Sequence, residues 1–352
     1  MENLEIDPER WKVEDLINLA ISSDELRGNG QKRYMVDNVP DGGRTFRSSG
    51  TTGKEPVTIY RSPVDVLISR YVNDAHIEYM LGHPIEEEEG MALFLAAPEM
   101  EEFMSFVGMV VDLMRDYKHV PVIFGMKVEE GDGPIWTRLR PDKKAMAEFY
   151  RSGNKPKYIF SALIGIQRML ETFEMHGAKD LPRLAYFKLA LGVPPLDLGR
   201  GAIFTGGGAK RAKVLPFKEL LEKRKGKIIG VDKEGNRIPA PWSDVYGNTE
   251  RLCILPSLMN TEYKVPHPLE EVIVVDPKTF TPIERGEGIV IFYNPLVTSY
   301  MEAVIPGDIF EVIPADDLYH GKVLRYRRRL TEEEALYVER GGCGSVFEEV
   351  RL

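Results

Sequence analysis

Cysteine is nearly absent from this sequence. Cys253 and Cys343 are the only two among 352 residues. That excludes a disulfide framework and a cysteine-built zinc site, and it fits a reducing cytoplasm. Long apolar runs are missing too. The longest, near 103–114, is short and contains Asp112, so no membrane span is expected. The opening stretch, MENLEIDPER, is acidic and lacks an apolar core, so it does not read as a secretory signal. The formal net charge is −9, with no basic stripe and no aromatic–basic alternation. Nucleic acid is therefore not an expected partner. The sequence has no internal repeat and no low-complexity tract.

What is present suits a globular enzyme: 43% hydrophobic and 29% charged residues. The length allows one large domain with a small addition. The stretch around which the chain is organised runs from Phe46 to Pro56 and reads FRSSGTTGKEP. Ser48, Ser49, Gly50, Thr51, Thr52 and Gly53 precede Lys54. Hydroxyls and bare backbone N–H groups at that density can wrap a polyphosphate. Strand-like residues flank the loop on both sides, with VTIYRS following it. It is therefore not a Walker A loop, which opens a helix and needs a glycine where Ser48 stands. The same composition also suits a polar hairpin turn.

Residues 1–45 read as a helical lead-in, with Trp11, Leu16, Leu19 and Ala20 on one face. After the loop, Ser62 can cap a helix, Pro63 suits its first turn and Gly82 its end. Val64, Leu67, Ile68, Tyr71, Val72, Ala75 and Tyr79 fall on one stripe, expected to face the core. The run Glu86 to Glu89 is expected to be a solvated loop. MALFLAA, VPVIFG and KYIFSA read as buried strands, separated by helical segments near 101–117, 141–153 and 165–176. Strands alternating with helices predict an α/β fold with parallel strands and ligands beyond their carboxyl ends.

Next comes AIFTGGGAK, whose Gly206, Gly207 and Gly208 leave bare backbone suited to lying against an aromatic ring, or to a flexible turn. DVYGNTE offers Tyr246, Thr249 and Glu250 within five residues. A threonine can bond a phosphate oxygen. A glutamate near a phosphate needs a metal ion to offset repulsion, most often magnesium. The last third is strand-rich, with EEVIVVD, GIVIFYN and DIFEVI between turns. VIPGD places Asp308 after a Pro-Gly turn, as a carboxylate able to accept from a ribose or as a solvated turn residue. Cys253 lies in the apolar run RLCILP and is expected to be buried and inert.

Taken together and in this order, SSGTTGKEP, GGG, YGNTE and GD resemble the adenylate-forming superfamily of acyl- and aryl-CoA ligases, firefly luciferase and peptide-synthetase adenylation domains. The resemblance spans about Phe46 to Asp308. TGGGAK, DVYGNTE and the following VPHPLEEVIVVDPKTFTPIERGEGIVIFYNP are similar to the acyl-protein synthetase branch of bacterial bioluminescence, and next to phenylacetate-CoA ligases. The implied fold is a large adenylate-forming α/β domain over 1–313 with mixed and parallel sheets flanked by helices. A strand-rich last third and a short, truncated C-terminal segment over 314–352 complete it.

The resemblance implies ATP and magnesium as cofactors and a fatty or aromatic carboxylic acid as substrate. Ser48 to Gly53 and Lys54 would hold phosphates, and Gly206 to Gly208 and Tyr246 the adenine. Asp308 would hold the ribose, Thr249 would contact the α-phosphate, and Glu250 would bind magnesium. The 44 residues after Asp308 are too few for the swinging domain of CoA ligases. Acyl-protein synthetases are similarly short and carry an acyl-accepting cysteine near the C-terminus, so the resemblance implies Cys343, in ERGGCGSV, as the acceptor, with Arg340 three residues before it able to lower its pKa. Catalytic candidates are thus Lys54, Thr249, Glu250 and Cys343. Alternatives stay open: a CoA ligase with a reduced C-terminal domain, or a non-catalytic nucleotide-binding relative. An acyl-CoA-reductase-like protein partner and a homodimer are also compatible with the resemblance.

Overall fold

A computed structural model describes residues 17, 19–48, 55–102, 105–132, 135–174, 195–207, 214–300, 303–314, 322–331 and 334. Among these the strands run, in chain order, β1 (Ile21–Ser22), β2 (Arg44–Arg47), β3 (Thr58–Arg61), β4 (Met91–Phe94), β5 (Val122–Phe124), β6 (Met126–Val128) and β7 (Leu139–Pro141). Then follow β8 (Lys157–Ser161), β9 (Leu196–Asp197), β10 (Ile203–Gly206), β11 (Ile228–Val231), β12 (Arg237–Pro239), β13 (Trp242–Tyr246) and β14 (Leu255–Pro256). The last third supplies β15 (Tyr263–Lys264), β16 (Glu271–Val275), β17 (Gly286–Tyr293), β18 (Ala303–Ile305), β19 (Asp308–Pro314) and β20 (Lys322–Arg329). The longer helices are α1 (Pro63–Leu81), α2 (Ser105–Asp116), α3 (Lys143–Arg151), α4 (Leu163–Glu174) and α5 (Phe217–Arg224). No described helix is long and apolar enough to cross a membrane.

Two compact units share the chain. One comprises Met1–Ser69, Asn248–Leu255 and Tyr263–Leu352, the other Arg70–Gly247 and Pro256–Glu262. In the second unit the main sheet has the order β13-β10-β8-β4-β5. The pairs β13–β10, β10–β8, β8–β4 and β4–β5 are all parallel. Strands alternate with helices here, as the sequence predicts, and the fold class is α/β. Val, Ile, Leu and Phe fill these strands on both faces, as a parallel sheet covered by helices requires. Leu93, Ile159, Ile203, Ile166, Leu170 and Trp242 lie in one buried cluster. Phe94, Phe160 and Phe204 sit at equivalent positions of β4, β8 and β10, and their rings stack at 4.7 and 5.2 Å.

In the first unit a seven-stranded sheet has the order β1-β18-β17-β19-β20-β15, with β16 paired to β17. Its ladders are mostly antiparallel, and its core gathers Ile273, Val275, Ile289, Ile291, Ile305 and Ile309. The basic segment KVLRYRRR forms β20, where Arg325 and Arg327 pair with Glu311 and Glu287 on β19 and β17.

Helix α1 begins as the sequence predicts. The Asp65 N–H donates to Ser62 Oγ at 3.0 Å and the Ser62 N–H to Asp65 Oδ2 at 3.3 Å, a reciprocal cap. Its apolar stripe does not face the core. Val64, Leu67, Tyr71 and Tyr79 are 46–69% exposed, while Asp65, Ser69, Asn73 and His76 are buried with Val72. The buried polar groups have specific partners that compensate their burial. Asp65 Oδ1 accepts from the Thr298 N–H at 2.6 Å and its hydroxyl at 2.7 Å, and Ser69 Oγ donates to the Leu252 carbonyl at 3.2 Å. The acidic run Glu86 to Glu89 is exposed as expected, with Glu87 and Glu88 paired to Arg200 and Glu89 to Lys155.

Candidate functional site

The Ser/Thr/Gly loop hangs from a hairpin of β2 and β3, whose last register pair is Arg47 with Thr58. Ser48 closes its neck. The Ser48 N–H donates to the Val57 carbonyl, and the Val57 N–H returns a bond to Ser48 Oγ, both at 2.9 Å. The Ser48 hydroxyl oxygen thus already accepts one bond. Ser49, Gly50, Thr51, Thr52, Gly53 and Lys54 lie outside the described residues.

In the second unit, Gly206 ends β10 and Tyr246 ends β13, on adjacent parallel strands with Gly206 opposite Val245. Gly207 follows at φ +81°, a left-handed conformation that favours glycine. The two strand ends are tied together by side chains. Trp242 Nε1 donates to Thr205 Oγ1 at 3.0 Å, and Thr205 Oγ1 donates to Asp244 Oδ1 at 2.9 Å. Thr205 and Asp244 were not anticipated as part of the site. Their signal is a polar side chain within strands of the parallel sheet, Thr205 in IFTG and Asp244 in WSDVY. The structure brings Gly206, Gly207 and Tyr246 to the carboxyl edge of a parallel sheet, where ligands of such sheets bind. Gly208 lies outside the described residues.

Thr249 and Glu250 belong to the first unit and are each 6% exposed. The Glu250 carbonyl accepts from the Arg61 guanidinium and from the Tyr300 hydroxyl. The next residue, Arg251, is fully buried against Glu270 in a bidentate pair, and its guanidinium lies 3.7 Å from the Phe292 ring centroid. Among the described residues the Glu250 carboxylate itself has no hydrogen-bond or ion-pair partner. A magnesium ion would find there an oxygen ligand that no described residue already engages. The described residues hold no group of three or more His, Cys, Asp or Glu side chains able to bind a metal. Magnesium shared between one carboxylate and substrate phosphates needs no such group.

Asp308 opens β19 after Gly307, at φ +78°, and is 3% exposed. Arg329, opposite it on β20, approaches its two carboxylate oxygens at 3.4 and 3.5 Å. Nearby Tyr326 is pushed up to about 12, first by burial and then by the Asp308 charge, with Arg329 opposing. Arg329 was not singled out from the sequence, where it is one of a run of arginines. Cys253 is 1% exposed and accepts a bond from Asn294 Nδ2 at 3.0 Å, as suits an inert core thiol. Cys343 lies outside the described residues.

No protein-family model matches the chain, and no curated protein does. Solved structures match over most of its length. The N-terminal domain of FACL13 from Mycobacterium tuberculosis is 15% identical over 83% of this chain and 62% of its own, with a TM-score of 0.48. An ATP-bound RpMatB-BxBclM chimera is 14% identical over 81% of this chain and 47% of its own, with a TM-score of 0.48. The anthranilate CoA ligase AuaEII, in complex with anthranoyl-AMP, is 14% identical over 81% and 46%, with a TM-score of 0.47. The chain thus spans between 46% and 62% of the length of these proteins.

Proposed function

We propose that this chain activates a carboxylic acid with ATP and passes the acyl group to a thiol. The observation that carries the proposal is Glu250, a residue 6% exposed whose carboxylate has no partner among the described residues. It lies in YGNTE, where the motif order calls for a metal-binding acid next to nucleotide phosphates. In the first step a carboxylate oxygen of the substrate attacks the α-phosphorus of ATP. The bond from that phosphorus to the bridging oxygen breaks, pyrophosphate leaves, and no proton moves. Glu250 would hold magnesium, which when bound would supply positive charge to offset the repulsion between the two anions.

This chain's own residues bind and orient. Asp308 accepts from the ribose hydroxyls, with Arg329 beside it. Gly206, Gly207 and Tyr246 are assigned by their motifs to the adenine. Ser48 to Lys54 are assigned by their motif to the phosphates. In the second step a thiolate attacks the acyl carbonyl carbon and AMP leaves as the carbon–oxygen bond breaks. Cys343 is the proposed acceptor on this chain; coenzyme A or a partner's cysteine would serve the same chemistry.

A panel of aliphatic and aromatic acids, incubated with ATP, magnesium and hydroxylamine, tests the proposal. Acid-dependent hydroxamate formation is expected. Its absence across the panel, with folded protein, contradicts it. Loss of radiolabelled acyl-protein in Cys343→Ser, with hydroxamate formation intact, identifies the acceptor.

A further inference from the structure

We infer that Arg61 and Tyr300 are positioning residues that hold Glu250 in its metal-binding orientation and tie it to the stem of the phosphate loop. The inference rests on the adenylation reading of the site and adds two residues to it. Both donors converge on one atom, the Glu250 carbonyl oxygen. Both are enclosed, Arg61 at 2% and Tyr300 at 1% exposure. The Arg61 guanidinium also lies 5.1 Å from the Tyr300 ring centroid, so each fixes the other. Arg61 is the last residue of β3, the strand that leaves the loop, and Arg61 pairs in register with Arg44 of β2. The segment carrying Tyr300 is itself tied to the corner after β3. Ser62 Oγ and Thr298 Oγ1 lie 2.8 Å apart, and Asp65 accepts from Thr298.

A turn carbonyl ordinarily needs one hydrogen bond. Here a charged donor and a phenol occupy both lone pairs in a buried setting, where such bonds are strong. The residue so clamped carries the carboxylate that the adenylation reading assigns to magnesium. On the following side the Arg251–Glu270 pair prevents the chain from yielding. The clamp therefore fixes the backbone from which that side chain extends. That is the expected signature of a preorganised site.

Calorimetric titration of ATP into the full chain, with magnesium and with a chelator, separates the possibilities. Tyr300→Phe removes one donor while keeping ring and volume, and Arg61→Lys keeps charge but loses the planar fork. In Tyr300→Phe, ATP affinity in chelator should stay as in the wild type. The gain in affinity that magnesium brings should fall about three- to tenfold, as for the loss of one hydrogen bond. A merely structural role would lower the unfolding temperature and leave that gain unchanged, and this outcome in a folded Tyr300→Phe overturns the inference. A wild-type chain whose ATP affinity does not respond to magnesium overturns the adenylation reading itself. Should Arg61→Lys fail to fold, Tyr300→Phe alone decides.

Discussion

At the scale of single residues, Glu250 and Asp308 show how one carboxylate differs from another. Both are enclosed, but Asp308 faces Arg329 whereas Glu250 has its carboxylate unpaired among the described residues. A carboxylate that no described residue pairs with adds no ion pair to the folded chain, and a ligand bound there would add to its stability. Glu250→Gln should therefore leave the unfolding temperature of the ligand-free protein unchanged or higher, measured by thermal denaturation at neutral pH. A fall of many degrees would mean that the charge is stabilised in the folded chain. Both acids were legible in the sequence as members of motifs. Arg61, Tyr300 and Arg329 were not, because nothing in their spacing shows that the fold brings them to Glu250 or Asp308.

Among elements, α1 and the parallel strands teach opposite lessons. The strands were legible because a sheet covered on both faces demands continuous apolar runs, and MALF, KYIF and AIF supply them. Their Phe94–Phe160–Phe204 ladder follows from a shared register. Phe160→Ala, which removes the middle ring, should cost about 3–5 kcal/mol in denaturant unfolding. The face of α1 was misread. Its inward side carries Asp65 and Ser69, held by Thr298 and Leu252, and periodicity cannot anticipate partners so distant in sequence.

The same helix carries Asp74, half-buried and raised from an ordinary 3.8 to about 6, by burial first and then by the charges of Glu78, Glu86 and Asp116. Its folded form holds the proton more tightly than the unfolded chain does. The associated stability is present below 3.8 and is lost as pH rises through about 6. Asp74→Asn should gain roughly 1 kcal/mol at neutral pH, discounted for its exposed half. It should also flatten the dependence of unfolding temperature on pH between those values. An unchanged profile would mean that the neighbouring charges are already neutralised.

For the whole molecule, the four motifs are distributed between the two units. The loop stem, Thr249, Glu250 and Asp308 fall in one, and Gly206, Gly207 and Tyr246 in the other. Their order along the chain carried the functional reading, and the α/β class followed from alternating strands and helices. The identity of the acid was not legible, because aromatic and methionine residues are spread evenly along the sequence. The measurement that tests the central claim most directly is exchange of labelled pyrophosphate into ATP, with and without a carboxylic acid and magnesium, by wild type and Glu250→Gln. The account predicts exchange that requires both acid and magnesium and falls on the order of 10²–10³ in the folded variant. Undiminished exchange in Glu250→Gln, or none in the wild type with any acid, would contradict it.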